Sequence, residues 1–422
     1  MPQRIIAINP MPQRIIAINP NPVGIYCNKS LFFEMKNDNR RNFKLIAKTL
    51  QSFEELLAKE LHEIGARNIR IRKRAVEFEG DLEILYKANL YTRTAVRILK
   101  PIHHFYARSE EEFYHRIKEM DWDEYLTVNK TFAINAVVNS QTFTHSQYMA
   151  LKAKDAIADR FREKEGTRPS VDVENPSLRI NIHISDNDCN VLLDSSNVSL
   201  HKRGYRERSH LAPLNEVLAA GMIMLTGWDG QKDLVDPMCG SATILIEGAL
   251  IATNTPPGLN RSFGFQKWPD FDKQLWEDIR ERAKAETHPI DINIMGSDID
   301  GRVLDVARNN ITEAGMDEWI RVAKKPFDES VPKQANGCLI TNPPYDERLK
   351  IEDVEAFYKS LGDHLKQHYQ GFEAWILSSN KSALKRFGLK TSKRLTLYNG
   401  PLECKYHQYE LYAGSKKAKY KE

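Results

Sequence analysis

The chain is 422 residues long, 41% hydrophobic and 28% charged, with a net charge of only +4. That length calls for two or three domains, and the mild basic balance is compatible with local basic patches without demanding nucleic acid. Five scattered cysteines with no C-x-x-C pair argue against a disulfide scaffold or structural zinc and suit a reducing cytoplasm, and no apolar run nears the ~18 residues of a membrane span.

Residues 1–10 are repeated identically at 11–20. Ten residues are too few for a folded repeat, and the segment lacks the parts of a signal peptide. Residues 1–42 are therefore expected to be an unstructured extension. From Phe43 the pattern predicts a small α+β module over 43–103. Phe43–Thr49 alternates as a strand. Ser52 is placed to cap a helix whose apolar positions Phe53, Leu56, Leu57, Leu61 and Ile64 share one face, ending at Gly65. Residues 69–78 alternate as one half-exposed strand with Arg70, Arg72 and Arg74 on one side. This basic stripe suits nucleic-acid phosphates, and equally a solvated strand face. A helix near 82–90 and a strand near 95–99 complete the module.

A second module is predicted over 104–199. Helices at 109–120 and 146–164 alternate there with strands at 131–138, 178–184 and 190–194. The second helix carries Lys152, Lys154, Arg160, Arg162 and Lys164, charges suited to positioning a phosphate backbone. Residues 200–210 form a basic linker in which Lys202, Arg203, Arg206 and Arg208 surround Tyr205. Cations around an aromatic ring suit single-stranded RNA, which is held by charge and stacking. Lys202, Arg203, Tyr205 and Arg206 are the candidate RNA contacts.

The third region, 211–413, has the pattern of a doubly wound α/β sheet. The apolar strand at 234–235 runs through Asp236 into the small-residue turn Cys239-Gly240-Ser241 and a helix, where small residues let a cofactor approach the backbone. The next strand ends at Asp298, with Asp300 two residues on, and a carboxylate at that tip commonly holds a ribose. Asp328 follows the third strand. The turn lacks G-x-G-x-x-G, so a cofactor without pyrophosphate fits better than a nicotinamide dinucleotide. The strand at 337–341 leads into Asn342-Pro343-Pro344-Tyr345. There the Asn342 side-chain oxygen and the Pro343 carbonyl can accept hydrogen bonds from one amino group, and Tyr345 offers a stacking face. An aromatic-rich insert at 253–289 is a candidate wall of the base pocket or cover for the cofactor. Asn399-Gly400 marks a final hairpin, and the tail 414–422 is basic. Cys239 and Cys338 are taken as packing residues, and no metal is needed.

The order of acid, small-residue turn, second acid and N-P-P-Y resembles that of S-adenosylmethionine-dependent amino-methyltransferases. The segments L-H-K-R-G-Y-R at 200–206 and A-P-L-N-E-V-L-A-A at 212–220 resemble the signatures of the THUMP-domain methyltransferases. The likeness runs from about Phe43 to about Leu411, and it implies a Rossmann-like methyltransferase domain preceded by ferredoxin-like and THUMP modules. It also implies S-adenosyl-L-methionine as cofactor, with Asp236, Cys239, Gly240, Ser241, Asp298, Asp300 and Asp328 as its contacts. Finally, it implies 23S ribosomal RNA or a large-subunit assembly intermediate as partner, and methylation of a guanine 2-amino group. A tRNA guanine-N2 enzyme, a DNA adenine-N6 enzyme and a non-catalytic RNA-binding factor remain open on sequence alone. Because an aromatic amine's lone pair is delocalised, Asn342 and Pro343 are expected to act by orienting it. A target base would have to be flipped out or already unpaired.

Overall fold

The computed structural model describes residues 41–206, 214–344 and 354–412. Tyr345, Arg208, the tail and residues 1–40 of the expected extension lie outside them. The elements below belong to one compact unit, Asn42–Glu422.

The amino-terminal half is built on an eight-stranded sheet. In chain order it contains β1 (Phe43–Thr49), α1 (Glu54–Glu63), β2 (Arg67–Arg72), β3 (Ala75–Gly80), α2 (Leu82–Tyr91) and β4 (Ala95–Tyr106). Then come α3 (Glu110–Glu119), β5 (Thr131–Asn139), α4 (Ser146–Glu165), β6 (Ser170–Val171), β7 (Leu178–Ser185) and β8 (Asp188–Asp194). The strand order is β2-β3-β1-β4-β8-β7-β5-β6, so both modules predicted from sequence share one sheet. Strand β4 crosses the expected 103/104 boundary. It passes through Pro101, beside which the register with β8 shifts, as a proline without a donor requires in a ladder. The single strand expected over 69–78 is instead a hairpin. Arg72 pairs with Ala75, leaving Lys73 and Arg74 as the turn, with Arg74 at φ +56. Ser52 likewise lies at φ +76 and does not cap α1, whose boundary residue is Phe53.

The carboxy-terminal half contains α5 (Glu216–Thr226), β9 (Asp233–Asp236), α6 (Thr243–Ala252), α7 (Lys273–Ala285), β10 (Ile294–Asp298), α8 (Gly301–Glu313) and β11 (Ile320–Lys324). It continues with β12 (Gly337–Thr341), α9 (Val354–His368), β13 (Phe372–Ser378), α10 (Lys381–Arg386), β14 (Lys393–Asn399) and β15 (Leu402–Glu410). Its order is β11-β10-β9-β12-β13-β15-β14, parallel from β11 to β13, with β15 antiparallel between β13 and β14. This is the expected doubly wound sheet. Strands β9 and β12 are buried throughout, as continuous apolar runs in a parallel sheet require. The strand order reverses at β9, where the crevice beyond the carboxyl ends of β10, β9 and β12 is the place a ligand binds.

The two halves exchange side chains. Phe53 is fully buried in the carboxy-terminal core, and its ring occupies the space a Cβ on Gly221 of α5 would need, at 2.3 Å. In return, Phe263, Phe265, Trp268 and Trp276 of the insert enter the amino-terminal core. Phe265 stacks on Tyr86 at 4.4 Å, and Trp276 packs edge-on against both. These aromatic side chains of the insert thus act as a structural wedge. Rings of this size are most favourable when buried, and these are buried against α2.

Candidate active site

Three strand ends build the site. At the end of β9, Asp236 is only 2% exposed and accepts a hydrogen bond from the Met238 amide at 3.1 Å. Burial pushes its carboxyl up to about 7. The Thr341 hydroxyl and the Met238 amide pull it down, and Asp298 adds a further upward push. At the end of β10, Asp298 accepts from the Gly240 amide at 3.0 Å and from the Asp300 amide at 3.0 Å. Between them the turn is drawn tight. The Cys239 amide donates to the Ser297 carbonyl at 2.9 Å, and Ala242 adopts the left-handed conformation at φ +65. A Cβ on Gly296 would meet Leu245 at 2.5 Å and Cys239 at 2.9 Å, so only glycine lets the turn settle on β10. Gly240 lies at φ +53 and faces open space, with no atom within 4 Å of a Cβ placed there. At the end of β12 stand half-buried Asn342, buried Pro343 and half-buried Pro344.

The fold therefore brings together Asp236, Cys239, Gly240, Ser241, Asp298, Asn342, Pro343 and Pro344 at the switch point. Asp300 sits beside them with another task. It caps α8 through the Arg302 amide at 2.9 Å and pairs with the Arg302 side chain at 3.1 Å, which leaves Asp298 as the acid that grips the turn. Asp328 is exposed in the short helical turn after β11, on the same edge of the sheet. Cys239 is buried, and burial pushes its thiol well above the ordinary range, as it does Cys338 to about 12. Both are protonated packing groups. One residue escaped the sequence analysis. Asn310, 4% exposed on α8, donates to the Ser241 carbonyl at 3.1 Å and so holds the turn from behind. Its signal was an asparagine on the same helix face as the buried Leu304, Ala307 and Ile311.

The linker is corrected in part. Lys202 is exposed, but Arg203 and Tyr205 are each 4% exposed and turned inward. Arg203 pairs with Glu247 of α6 at 3.4 Å and donates to the Leu200 and Arg93 carbonyls, while the Tyr205 hydroxyl donates to Glu247 at 3.1 Å. Arg206 pairs with Glu216 at 3.1 Å and donates to the Leu214 carbonyl and the Thr243 hydroxyl. Side chains committed in this way hold the catalytic half together. Asn215 caps α5 by accepting from the Leu218 amide. The cations of α4 are also spoken for. Lys152 lies between Glu110 and Glu111, Arg160 between Asp121 and Asp123, Lys164 contacts Asp123, Arg162 contacts Asp159, and Lys154 contacts Asp155.

Asp236 and Asp298 share an unusual property: two carboxylates at neighbouring strand tips face one turn, and backbone amides donate to both. Among the described residues no cation pairs with either. Such a pair repels a pyrophosphate and attracts a cationic nucleoside. With the open space at Gly240, this fits S-adenosylmethionine, a nucleoside carrying a sulfonium and an ammonium group.

The comparisons with known proteins agree. Residues 203–408 match the family described as the RMKL-like methyltransferase domain, residues 107–194 the THUMP domain, and residues 44–99 the RlmL ferredoxin-like domain. The chain is 40% identical over 369 residues to a provisionally assigned RNA methyltransferase of Synechocystis sp., covering 87% of this chain and 96% of that protein. It is 37% identical over 382 residues to the ribosomal RNA large subunit methyltransferase K/L of Syntrophotalea carbinolica, covering 87% of this chain and 53% of that enzyme. The chain thus spans about half the length of the K/L relative. The crystal structure of SMU.472, a provisionally assigned methyltransferase complexed with SAH, superposes with a TM-score of 0.80 at 30% identity, covering 89% of this chain and 100% of that one. The fold and site define an S-adenosylmethionine-dependent methyltransferase. More narrowly, the chain belongs to the family of RMKL-like methyltransferases that carry a THUMP domain and an RlmL ferredoxin-like domain.

The buried acid predicts a pH effect on cofactor binding. Below about 7, Asp236 is protonated and attracts no cation. Binding a cationic nucleoside favours the ionised form, so affinity should rise as pH climbs through that value and level off above it. Without ligand the sign is opposite. The folded state holds this proton more tightly than the unfolded chain, so Asp236's contribution to stability falls over the same rise. Calorimetric titration of S-adenosylmethionine across this range should show the increase, and Asp236→Asn should flatten it.

Proposed function

We propose that this protein methylates the exocyclic 2-amino group of a guanine in large-subunit ribosomal RNA. The observation that carries this is the meeting of Asp236, Asp298 and Asn342-Pro343 at one switch point, on a chain that also bears a THUMP domain. The name of the K/L relative supports the choice of ribosomal RNA.

S-adenosylmethionine supplies an electrophilic methyl group. Asp236 and Asp298 favour its positive charge, and the Gly240 turn gives it room. Asn342 and the Pro343 carbonyl accept the two N–H bonds of the amine and turn its lone pair out of the ring plane. The developing ammonium then meets oxygen dipoles already in place, so orientation and preorganised electrostatics carry the acceleration. Two consecutive prolines bring no backbone donor into the clamp, so its carbonyls act only as acceptors.

The direct test uses labelled S-adenosylmethionine and the purified protein, with total RNA and genomic DNA from a strain lacking the gene as separate acceptors. Nucleoside mass spectrometry should find N2-methylguanosine in large ribosomal RNA. The same nucleoside in tRNA alone would keep the chemistry and move the substrate. N6-methyladenine in DNA would overturn the assignment.

A further inference from the structure

Strand β11 ends at the carboxyl edge of its sheet, and β12 lies beyond β10 and β9. The chain between them, residues 325–336, begins with the short helical turn Phe327–Glu329 that carries Asp328. Such a crossing runs over the surface and is mobile unless something ties it down. Here the start is tied to the crevice, since the Lys325 amide donates to the Asp298 carbonyl at 3.1 Å. The end is tied at Ser330, 5% exposed, whose amide, carbonyl and hydroxyl are all engaged. Its amide donates to the Phe327 carbonyl at 3.0 Å. Its carbonyl accepts from His364 Nε2 at 2.8 Å, and its hydroxyl accepts from the Tyr369 hydroxyl at 2.9 Å. Phe327 packs edge-on against Phe357 and His364, with ring centres 5.2 and 6.0 Å away.

Both fastening groups come from one rigid source. His364 is on α9, and Tyr369 follows α9 directly, its amide bonded to the Leu365 carbonyl at 3.0 Å. Tyr369 is fully buried in a core with Val235, Leu339, Leu361 and Leu365, and His364 is buried beside it. Polar groups in such a place are costly unless they are bonded, and apolar side chains would pack there without the cost. Burial pushes the Tyr369 hydroxyl up to about 12, so it stays protonated and donates. Burial also holds the His364 imidazole below its ordinary range, so at pH 7 it is neutral with one N–H. A carbonyl can only accept, which puts that proton on Nε2. What the trio yields is a fixed place for the turn, and so for Asp328, beside Asp298.

We propose that His364 and Tyr369 are positioning residues for S-adenosylmethionine: through Ser330 they hold the Asp328 turn against the tip of β10, at the nucleoside end of the crevice. Both act through Ser330, and neither needs to touch the cofactor. A carboxylate on an untethered turn loses freedom each time it closes on a ligand, and one on a turn already fixed does not. The inference rests on the reading of Asp298 and Asp328 as cofactor contacts.

The test is a pair of single variants, His364→Phe and Tyr369→Phe, each keeping a ring and removing one donor to Ser330. Calorimetric titration should show S-adenosylmethionine affinity about three- to tenfold weaker in each, the worth of one hydrogen bond. KM for the cofactor should rise by the same factor, with kcat at saturation within about twofold of wild type. His364→Gln, whose amide offers a donor of similar reach, should recover most of the loss. A merely structural role would add its effect to that of any other substitution, so the deciding measurement is a double-variant cycle with Asp328→Ala. In that background His364→Phe should weaken cofactor affinity by less than about twofold more. Equal losses with and without Asp328, or wild-type affinity in both single variants, would overturn the positioning role while leaving Asp328 as a contact. Wild-type affinity in Asp328→Ala would instead remove Asp328 from the contacts, and the positioning role with it.

Discussion

Asn342→Ala should reduce kcat about 100- to 1,000-fold, the scale of removing one preorganised polar group from a reacting centre, while S-adenosylmethionine affinity stays within about twofold of wild type. The argument starts from β12, which is buried along its whole length and ends at Thr341, 0% exposed. A rigid buried strand delivers Asn342 to the switch point, and the two prolines that follow stiffen the turn. The proposed cofactor contacts lie on other elements, the β9 turn and the tip of β10, so truncating Asn342 leaves them in place. What is lost is one of the two oxygens holding the amine, and with it the alignment of the lone pair. Single-turnover kinetics with calorimetric titration of the cofactor separate the two effects. Normal turnover in Asn342→Ala would remove the clamp from the mechanism.

The parts of this site that were legible in the sequence are those where local chemistry dictates geometry. The turn after β9 needs small residues to let Gly296 and Cys239 touch, and N-P-P can only be a stiff, donor-poor turn. The doubly wound sheet was legible because its buried strands are short continuous apolar runs. What was not legible depends on which way a side chain turns. Arg203 and Tyr205 sit in a stretch that looks solvated by composition, and nothing local reveals that Glu247, 44 residues on from Arg203, waits for both. The insert's aromatics gave a usable signal, since five large rings in 14 residues (263–276) are more than a surface loop normally carries. That signal says the rings are buried, and it does not say that the partner core is the amino-terminal one. The 69–78 segment was misjudged because Lys73 and Arg74 are not turn formers, and β2 and β3 pair around them regardless.

Glu247→Ala should destabilise the fold by about 3–5 kcal/mol, the usual result of removing one partner from a buried ion pair. Glu247 is 0% exposed and takes the Arg203 guanidinium on both carboxylate oxygens, with the Tyr205 hydroxyl on one of them. Without it, Arg203 keeps its bonds to the Leu200 and Arg93 carbonyls but loses its counter-charge, and Tyr205 keeps a buried hydroxyl with no acceptor among these groups. Glu247→Gln should lose less, because the amide oxygen can still accept from Tyr205. Denaturant midpoints for the two variants measure the difference. Because α6 carries Glu247 and begins immediately after the cofactor turn, cofactor affinity should fall along with stability in the alanine variant, while RNA affinity per folded molecule stays unchanged. That last outcome separates the two roles open to the linker. If Arg203 and Tyr205 contacted RNA, releasing them from Glu247 would alter RNA binding. As bolts between the amino-terminal half and α6, they alter only how firmly the catalytic turn is held.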